Sequence, residues 1–253
     1  MFGTAAGVYA AGRPGYPERV YEILRDRCGL GPASRVLEIG PGTGQATTRL
    51  LESGARVVAV EPDPALANEL VARLGMWPGL DVDRSTFEDV ELPPSSFDLV
   101  TAATSFHWLD AGQALPKIRT LLAPDGWLAL WWNEFGDPGK PDPFHEATEP
   151  LLRGLARGPG SGVSGLPSAL DVDARTVELE AHGFSDIEHE EVHWTLHLDA
   201  AQARRLYATF SNIARLPNAQ RERILDELER IANTEFGGHI ERQTITSIYT
   251  GHR

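Results

Sequence analysis

The sharpest chemical signal in the chain is the run Glu38-Ile-Gly-Pro-Gly-Thr-Gly-Gln45. Glycines at alternate positions let the backbone turn tightly and let a ligand approach without meeting a Cβ atom. The start of a following helix offers unpaired N–H groups to the same space. Glu61 ends the next apolar run, where a carboxylate can accept two hydrogen bonds from a ribose diol. These residue types at this spacing predict a nucleoside site. The dinucleotide fingerprint G-x-G-x-x-G would put its third glycine where Gln45 stands. Here that glycine falls one residue early, at Gly44. Glu38, two positions before Gly40, adds a carboxylate that welcomes a cationic amino group and repels a pyrophosphate.

The elements around this run alternate. Arg35 to Ile39 and Arg56 to Val60 are β-branched apolar runs and read as strands, as do Leu80 to Arg84, Phe97 to Ala102 and Trp127 to Trp132. Gln45 to Glu52, Ala65 to Leu74 and Leu115 to Leu122 carry apolar residues at helical spacing between them. Strands alternating with helices predict βαβ units and a parallel sheet covered on both faces, with the ligand crevice at the carboxyl ends of the strands. In the second half, Pro143 to Ala156 and Ala174 to His182 read as helices, and Gly158 to Pro167 as a surface loop. Ile187 to Leu198 and Glu241 to Tyr249 alternate as two closing strands, with helices over Ala200 to Ser211 and Asn218 to Phe236 between them. The expectation is a doubly wound, Rossmann-like sheet of seven strands, the last antiparallel. Its divisions are an N-terminal cap segment over 1–34, an α/β domain over 35–198 and 239–253, and a helical cap over 199–238.

The pattern E-x-G-x-G-x-G with a later acid strongly resembles the class I S-adenosylmethionine (SAM) dependent methyltransferases. Ser85 to Pro93 followed by Ser96-Phe-Asp-Leu-Val100 is similar to that family's adenine-side loop and fourth strand, and Leu121 to Leu128 to its fifth-strand entry. Tyr9 to Pro17, Ser105-Phe-His-Trp108 and the stretch from Phe210 to Gly238 are similar to its small-molecule branch, which includes trans-aconitate methyltransferase-like proteins. The resemblance implies strand order 3-2-1-4-5-7-6, SAM as cofactor and a small-molecule acceptor. It assigns Glu38, Gly40, Gly42, Gly44, Glu61 and Pro62 to the cofactor. Many relatives carry an acid where Thr86 stands, so the adenine contact passes to Glu88 or to backbone near Phe87. Tyr9 and Arg13 are expected to close over the cofactor, with Arg13 near its carboxylate or an acidic substrate. Tyr16, Phe106, Trp108 and Asn133 are expected at the substrate, and His107 is the candidate general base. A carboxylate acceptor needs no base, whereas a hydroxyl, amine or enol carbon does. Two other classes stay open: a SAM-binding regulator or scaffold without turnover, and an NAD-dependent oxidoreductase.

Composition narrows the partners. The 253 residues hold 23 Lys+Arg against 36 Asp+Glu, a net charge of −13, which disfavours nucleic acid and anionic membrane surfaces. No apolar run is long enough to span a bilayer, no basic n-region precedes an apolar stretch, and a cytoplasmic protein is expected. Cys28 stands alone, so no intrachain disulfide forms, and it is expected half-buried and unreactive. His189, His193 and His197 share one strand face, but residues four apart on a strand stand roughly 13 Å apart, too far for one metal. Trp131 and Trp132 point to opposite faces of the sheet. Arg204, Arg205 and Arg215 are cap cations that would attract an anionic substrate.

Overall fold

The computed structural model describes Gly7, residues 11–155 and residues 167–253. The expectations for Tyr9 and for the glycines between 158 and 165 lie outside the described residues. Strands β1 (Arg35–Ile39), β2 (Arg56–Val60), β3 (Leu80–Asp83), β4 (Phe97–Ala103) and β5 (Leu122–Phe135) run parallel. Strand β7 (His239–His252) joins antiparallel to β5, and β6 (Ser185–Asp199) antiparallel to β7. The seven-stranded order is β3-β2-β1-β4-β5-β7-β6, as the resemblance implied.

Helices α1 (Glu18–Asp26), α2 (Thr47–Glu52) and α3 (Pro64–Leu74) contribute to the core on one face, with Val36, Val57 and Trp131. On the other face, α4 (Ala111–Leu121) and α6 (Val172–Ala181) cover Leu37, Val100, Leu128 and Trp132. The two tryptophans thus enter opposite cores, and each fully buried large apolar side chain contributes about 1.5–3 kcal/mol. Helices α7 (Ala200–Ala208), α8 (Ser211–Ala214) and α9 (Asn218–Glu235) share a third cluster with α5 (Pro143–Leu152) through Phe144, Tyr207, Leu225 and Leu228. Local chemistry sets the starts: Asp63 caps α3 with Pro64 in its first turn, and Asp199 forms a capping box with Gln202 on α7.

Several boundaries differ from the sequence reading. Strand β5 begins at Leu122, because the Ala123-Pro-Asp-Gly126 stretch bulges instead of ending the ladder. Phe97 pairs Leu122 and Leu99 already pairs Trp127. The helix expected over Ala200 to Ser211 breaks at Thr209 and Phe210, and Phe210 opens α8 in extended backbone. Gln45 stays in the turn before α2. Strands β6 and β7 outrun their apolar cores because each supplies the other's hydrogen bonds from Glu188↔Thr250 to Asp199↔His239. Among the described residues no helix is long and apolar enough to cross a membrane.

One buried cation ties cap to sheet. Arg242 on β7, 2% exposed, donates from Nε to Asp142 Oδ2 at 2.6 Å and from Nη2 to the Phe135 carbonyl at 3.0 Å. It also donates from Nη1 to Tyr207 Oη on α7. Removing one partner of such a pair strands a charge, whereas replacing both leaves none. Arg242→Met is therefore expected to lose about 3–5 kcal/mol in urea unfolding. The double variant Arg242→Met/Asp142→Asn removes the stranded charge but keeps the oxygen that accepts from His145 N–H at the start of α5; it should recover part of that loss, and equal losses in both would contradict the assignment.

Candidate functional site

The turn after β1 builds one wall of a cleft. Gly40, Gly42 and Gly44 adopt φ of +66°, +60° and +92°, a region that side-chain-bearing residues rarely enter. Their reasons differ. A Cβ on Gly40 would stand 2.6 Å from Ser105 Cβ, so this glycine lets the β1 and β4 exits close on each other. A Cβ on Gly44 would meet Leu70 and Leu74 at 2.8 and 2.9 Å, so this one seats the turn on α3. Gly42 donates its N–H to Glu61 Oε2 at 2.9 Å, while Glu61 Oε1 accepts from Asp63 N–H at 3.0 Å. A single carboxylate thus holds the glycine turn to the end of β2. Burial pushes the Glu61 carboxyl above its usual range, opposed by those two N–H donors.

The cleft has a volume of about 440 Å³, and Gly40, Gly42, Glu61, Pro62, Thr86, Phe87, Glu88 and Trp108 are among its walls. Phe87 is buried and packs in the core below. The Thr86 hydroxyl is occupied locally, donating to Asp89 Oδ2 at 2.9 Å. A narrower cavity of about 40 Å³ continues past the shared Gly40, Gly42 and Thr104, bounded by Arg13, Tyr16 and Asn133.

The segment over 12–16 straps this end. Asn133 donates to the Gly15 carbonyl at 3.0 Å and accepts from Thr246 Oγ1 at 2.6 Å. Tyr16 Oη lies 3.0 Å from Thr104 Oγ1, and its ring meets Trp131 edge-on at 5.7 Å. A Cβ on Gly12 would strike the Arg205 carbonyl at 2.5 Å, so the strap lies directly against α7. The Arg13 guanidinium sits 5.7 Å from the Phe135 ring and 5.3 Å from that of Phe210. One cation therefore bridges the β5 exit and the cap.

Other predicted residues are placed differently. Glu38 lines neither cavity: it is wholly buried, accepts from Thr47 Oγ1 at 2.7 Å, and its Oε1 has no partner among the described residues. Burial and the nearby Glu61 charge push its carboxyl up to about 7, against the Thr47 bond. Phe106 is a core residue of the short 3-10 turn over Phe106–Trp108. His107 Nδ1 accepts from the Trp132 indole at 3.0 Å, and burial with the charges of Arg13 and Arg175 pushes the imidazole down to about 4. Cys28 is buried rather than half-buried, and burial raises its thiol to about 12. Of the cap cations, Arg204 is neutralised by Glu222 and Asp226, both at 2.7 Å, whereas Arg215 lies 5.6 Å over the Trp108 ring at the cleft rim. His189, His193 and His197 turn to separate partners, Ser247, Asp137 and Glu241.

Sequence reading missed Thr104 and Phe135. Thr104 faces both cavities with φ of +55°, a strained state for a β-branched residue that the surrounding contacts impose. Nothing in its local sequence signals this. Glu134, on the same β5 face as Trp132, is a half-buried acid whose desolvation pushes it up to about 7, with Arg13 opposing the shift.

The model of the methyltransferase domain family matches residues 37–130. That segment is a methyltransferase domain. An uncharacterised methyltransferase of Mycobacterium bovis is 41% identical over 132 residues, covering 52% of this chain and 51% of the relative. The chain thus spans about half the length of the mycobacterial relatives it matches. The fold is shared with a proposed type II methyltransferase from Anaeromyxobacter dehalogenans, at TM-score 0.67 and 22% identity over 95% of this chain and 97% of that one. It is shared also with the Haemonchus contortus phosphoethanolamine N-methyltransferase 2, solved with phosphomonomethylethanolamine and S-adenosylhomocysteine. There the TM-score is 0.59 and the identity 15%, over 99% of this chain and 57% of that one.

The buried acid of the domain's glycine motif makes stability depend on pH. Folded Glu38 keeps its proton to about pH 7, while the unfolded chain releases it near 4.5. This contribution is complete below pH 4.5 and is lost as pH rises through about 7. Glu38→Gln is expected to flatten that decline and to exceed the wild type in stability at about pH 8 by up to about 3 kcal/mol. Urea unfolding across the pH range checks this, and superimposable profiles would contradict it.

Proposed function

We propose that the chain is a SAM-dependent methyltransferase acting on a small-molecule acceptor. The observation that carries the reading is the pairing of Glu61 with the glycine turn at the mouth of the cleft. The residues fit the cofactor on physical grounds. Gly40 and Gly42 bring bare backbone to the walls of both cavities, and Glu61 presents a carboxylate suited to a ribose diol. Glu38 lies buried beneath the turn with an oxygen that has no partner among the described residues, and a neighbouring ammonium would favour its ionised form where a pyrophosphate would oppose it.

In this reading Glu61 and Pro62 hold the ribose side, and Phe87 and Glu88 flank the adenine side of the same cleft. Arg13 stands at the narrow end, suited to the cofactor's carboxylate, with Tyr16 and Asn133 beside it. SAM, when bound, supplies a methyl group already activated as a sulfonium. The chain's own task is to orient the acceptor in line and exclude water. The strap, tied by Asn133 to Gly15 and by Tyr16 to Thr104, closes the narrow end against solvent. Trp108, with Arg215 over its ring, forms the acceptor-side rim. A carboxylate or hydroxyl oxygen is the acceptor atom this wall suits best.

S-adenosylhomocysteine is expected to bind the wild-type protein in calorimetry, and Glu61→Ala to weaken it by about 1.5–3 kcal/mol. A loss below about 0.5 kcal/mol would overturn the ribose assignment. Radiolabelled SAM offered with a panel of small acids, phenols and amines is expected to label at least one of them. Tight cofactor binding with no transfer to any would favour a regulatory protein over an enzyme.

A further inference from the structure

The wide cleft and the narrow cavity share Gly40, Gly42 and Thr104 as walls. The two glycines bring only backbone to that junction. Among the described residues, Thr104 is thus the one member of the shared wall that carries a side chain. It directly follows β4 and is half-buried. Its N–H is taken by the Trp131 carbonyl at 2.7 Å, so the polar groups it can offer a ligand are its carbonyl and its hydroxyl. Thr104 Oγ1 lies 3.0 Å from Tyr16 Oη, and the Tyr16 ring is itself set edge-on against Trp131. Either hydroxyl can donate to the other. In both senses Thr104 Oγ1 keeps at least one lone pair.

The backbone at this residue adds a second observation. A φ of +55° is an outlier for a β-branched residue, whereas glycine enters that region freely, as Gly40 and Gly42 do across the junction at +66° and +60°. Strain of this kind gathers where a ligand is held. Here a glycine would relieve it and would also remove the hydroxyl. The ligand of the proposed function fixes what lies at the junction. With the ribose on Glu61 in the wide cleft and the amino acid tail beside Arg13 in the narrow cavity, the atom that joins the two halves is the sulfonium. That centre neither donates nor accepts a conventional hydrogen bond. Its charge polarises the C–H groups attached to it, and a neutral oxygen with a free lone pair receives them.

From this geometry we propose that Thr104 discriminates between charged and spent cofactor: its hydroxyl oxygen, held by Tyr16, receives the polarised C–H groups around the sulfonium and raises the affinity for SAM relative to S-adenosylhomocysteine. The proposal rests on the methyltransferase reading for the ligand that crosses the junction. S-adenosylhomocysteine has the same ribose and the same tail, but neither the methyl group nor the positive charge, so it gains less from the contact.

Calorimetric titration of both ligands into the wild type, Thr104→Val and Thr104→Ser tests this without any acceptor. Valine keeps the β-branch and removes the oxygen. Thr104→Val is expected to lose about two- to fivefold in SAM affinity while S-adenosylhomocysteine holds its own. Thr104→Ser keeps the oxygen and is expected to keep the wild-type ratio of the two affinities. An unchanged ratio in Thr104→Val, whether neither ligand weakens or both weaken equally, overturns the proposal and leaves the methyltransferase reading standing. A ratio that falls equally in Thr104→Ser and Thr104→Val overturns it as well. Failure of both ligands to bind the wild type overturns the two together. Should Thr104→Val not fold, Thr104→Ala removes the same oxygen with less backbone strain and is read by the same ratio.

Discussion

The site depends on one buried carboxylate doing the work of a hinge pin. Glu61 directly follows β2, and its two oxygens take N–H groups from Gly42 in the turn after β1 and from Asp63 at the start of α3. Two crossovers are therefore locked to each other at the carboxyl edge of the sheet, where a parallel α/β fold leaves its crevice. The glycine conformations follow from that constraint. A turn drawn in to meet Glu61, pressed on Ser105 on one side and on Leu70 and Leu74 on the other, has no room for side chains at 40 or 44. An acid in this position remains available to hydroxyl donors, since a carboxylate offers about four lone-pair directions and two are used here.

The rest of the molecule closes the crevice. The strap touches the sheet through Asn133 and Thr104 and the cap through Arg205 and Thr209. Arg13 between Phe135 and Phe210 joins both halves, and Arg242 beneath them holds the Phe135 carbonyl and the Tyr207 hydroxyl in register. The polar groups of the narrow end are thus set by contacts that span most of the chain. That arrangement suits a reaction whose demands are alignment and dryness rather than a strong acid or base.

The glycine turn, the strand order and the helices between the last two strands were legible in the sequence, because each rests on local spacing or on a family pattern carried by contiguous residues. What it left hidden is tertiary. The hydroxyl of Thr86 and the carboxylate of Glu38 have the right types for cofactor contacts, but one caps its own turn and the other faces Thr47. Thr104 and Phe135 carry no motif, and meet at the narrow cavity only because β5 runs on past the end of β4. Arg204 looked like Arg215 on the helical pattern, and only the packing of α7 on α9 neutralises the first and leaves the second over Trp108. The split of α7 from α8 likewise follows from Phe210 turning toward Tyr207 and Phe135, which periodicity does not record.

In the proposed function the turn after β1 receives a nucleoside bearing an amino acid tail, gripped by Glu61 at the ribose. A crystal structure grown with S-adenosylhomocysteine is the decisive measurement. Ribose hydroxyls are expected on the Glu61 carboxylate, adenine beside Phe87 and Glu88, and the amino acid end by Gly40 and Arg13. A vacant cleft, the ligand bound elsewhere, or the same turn taking a pyrophosphate in a parallel crystal grown with NAD would contradict it.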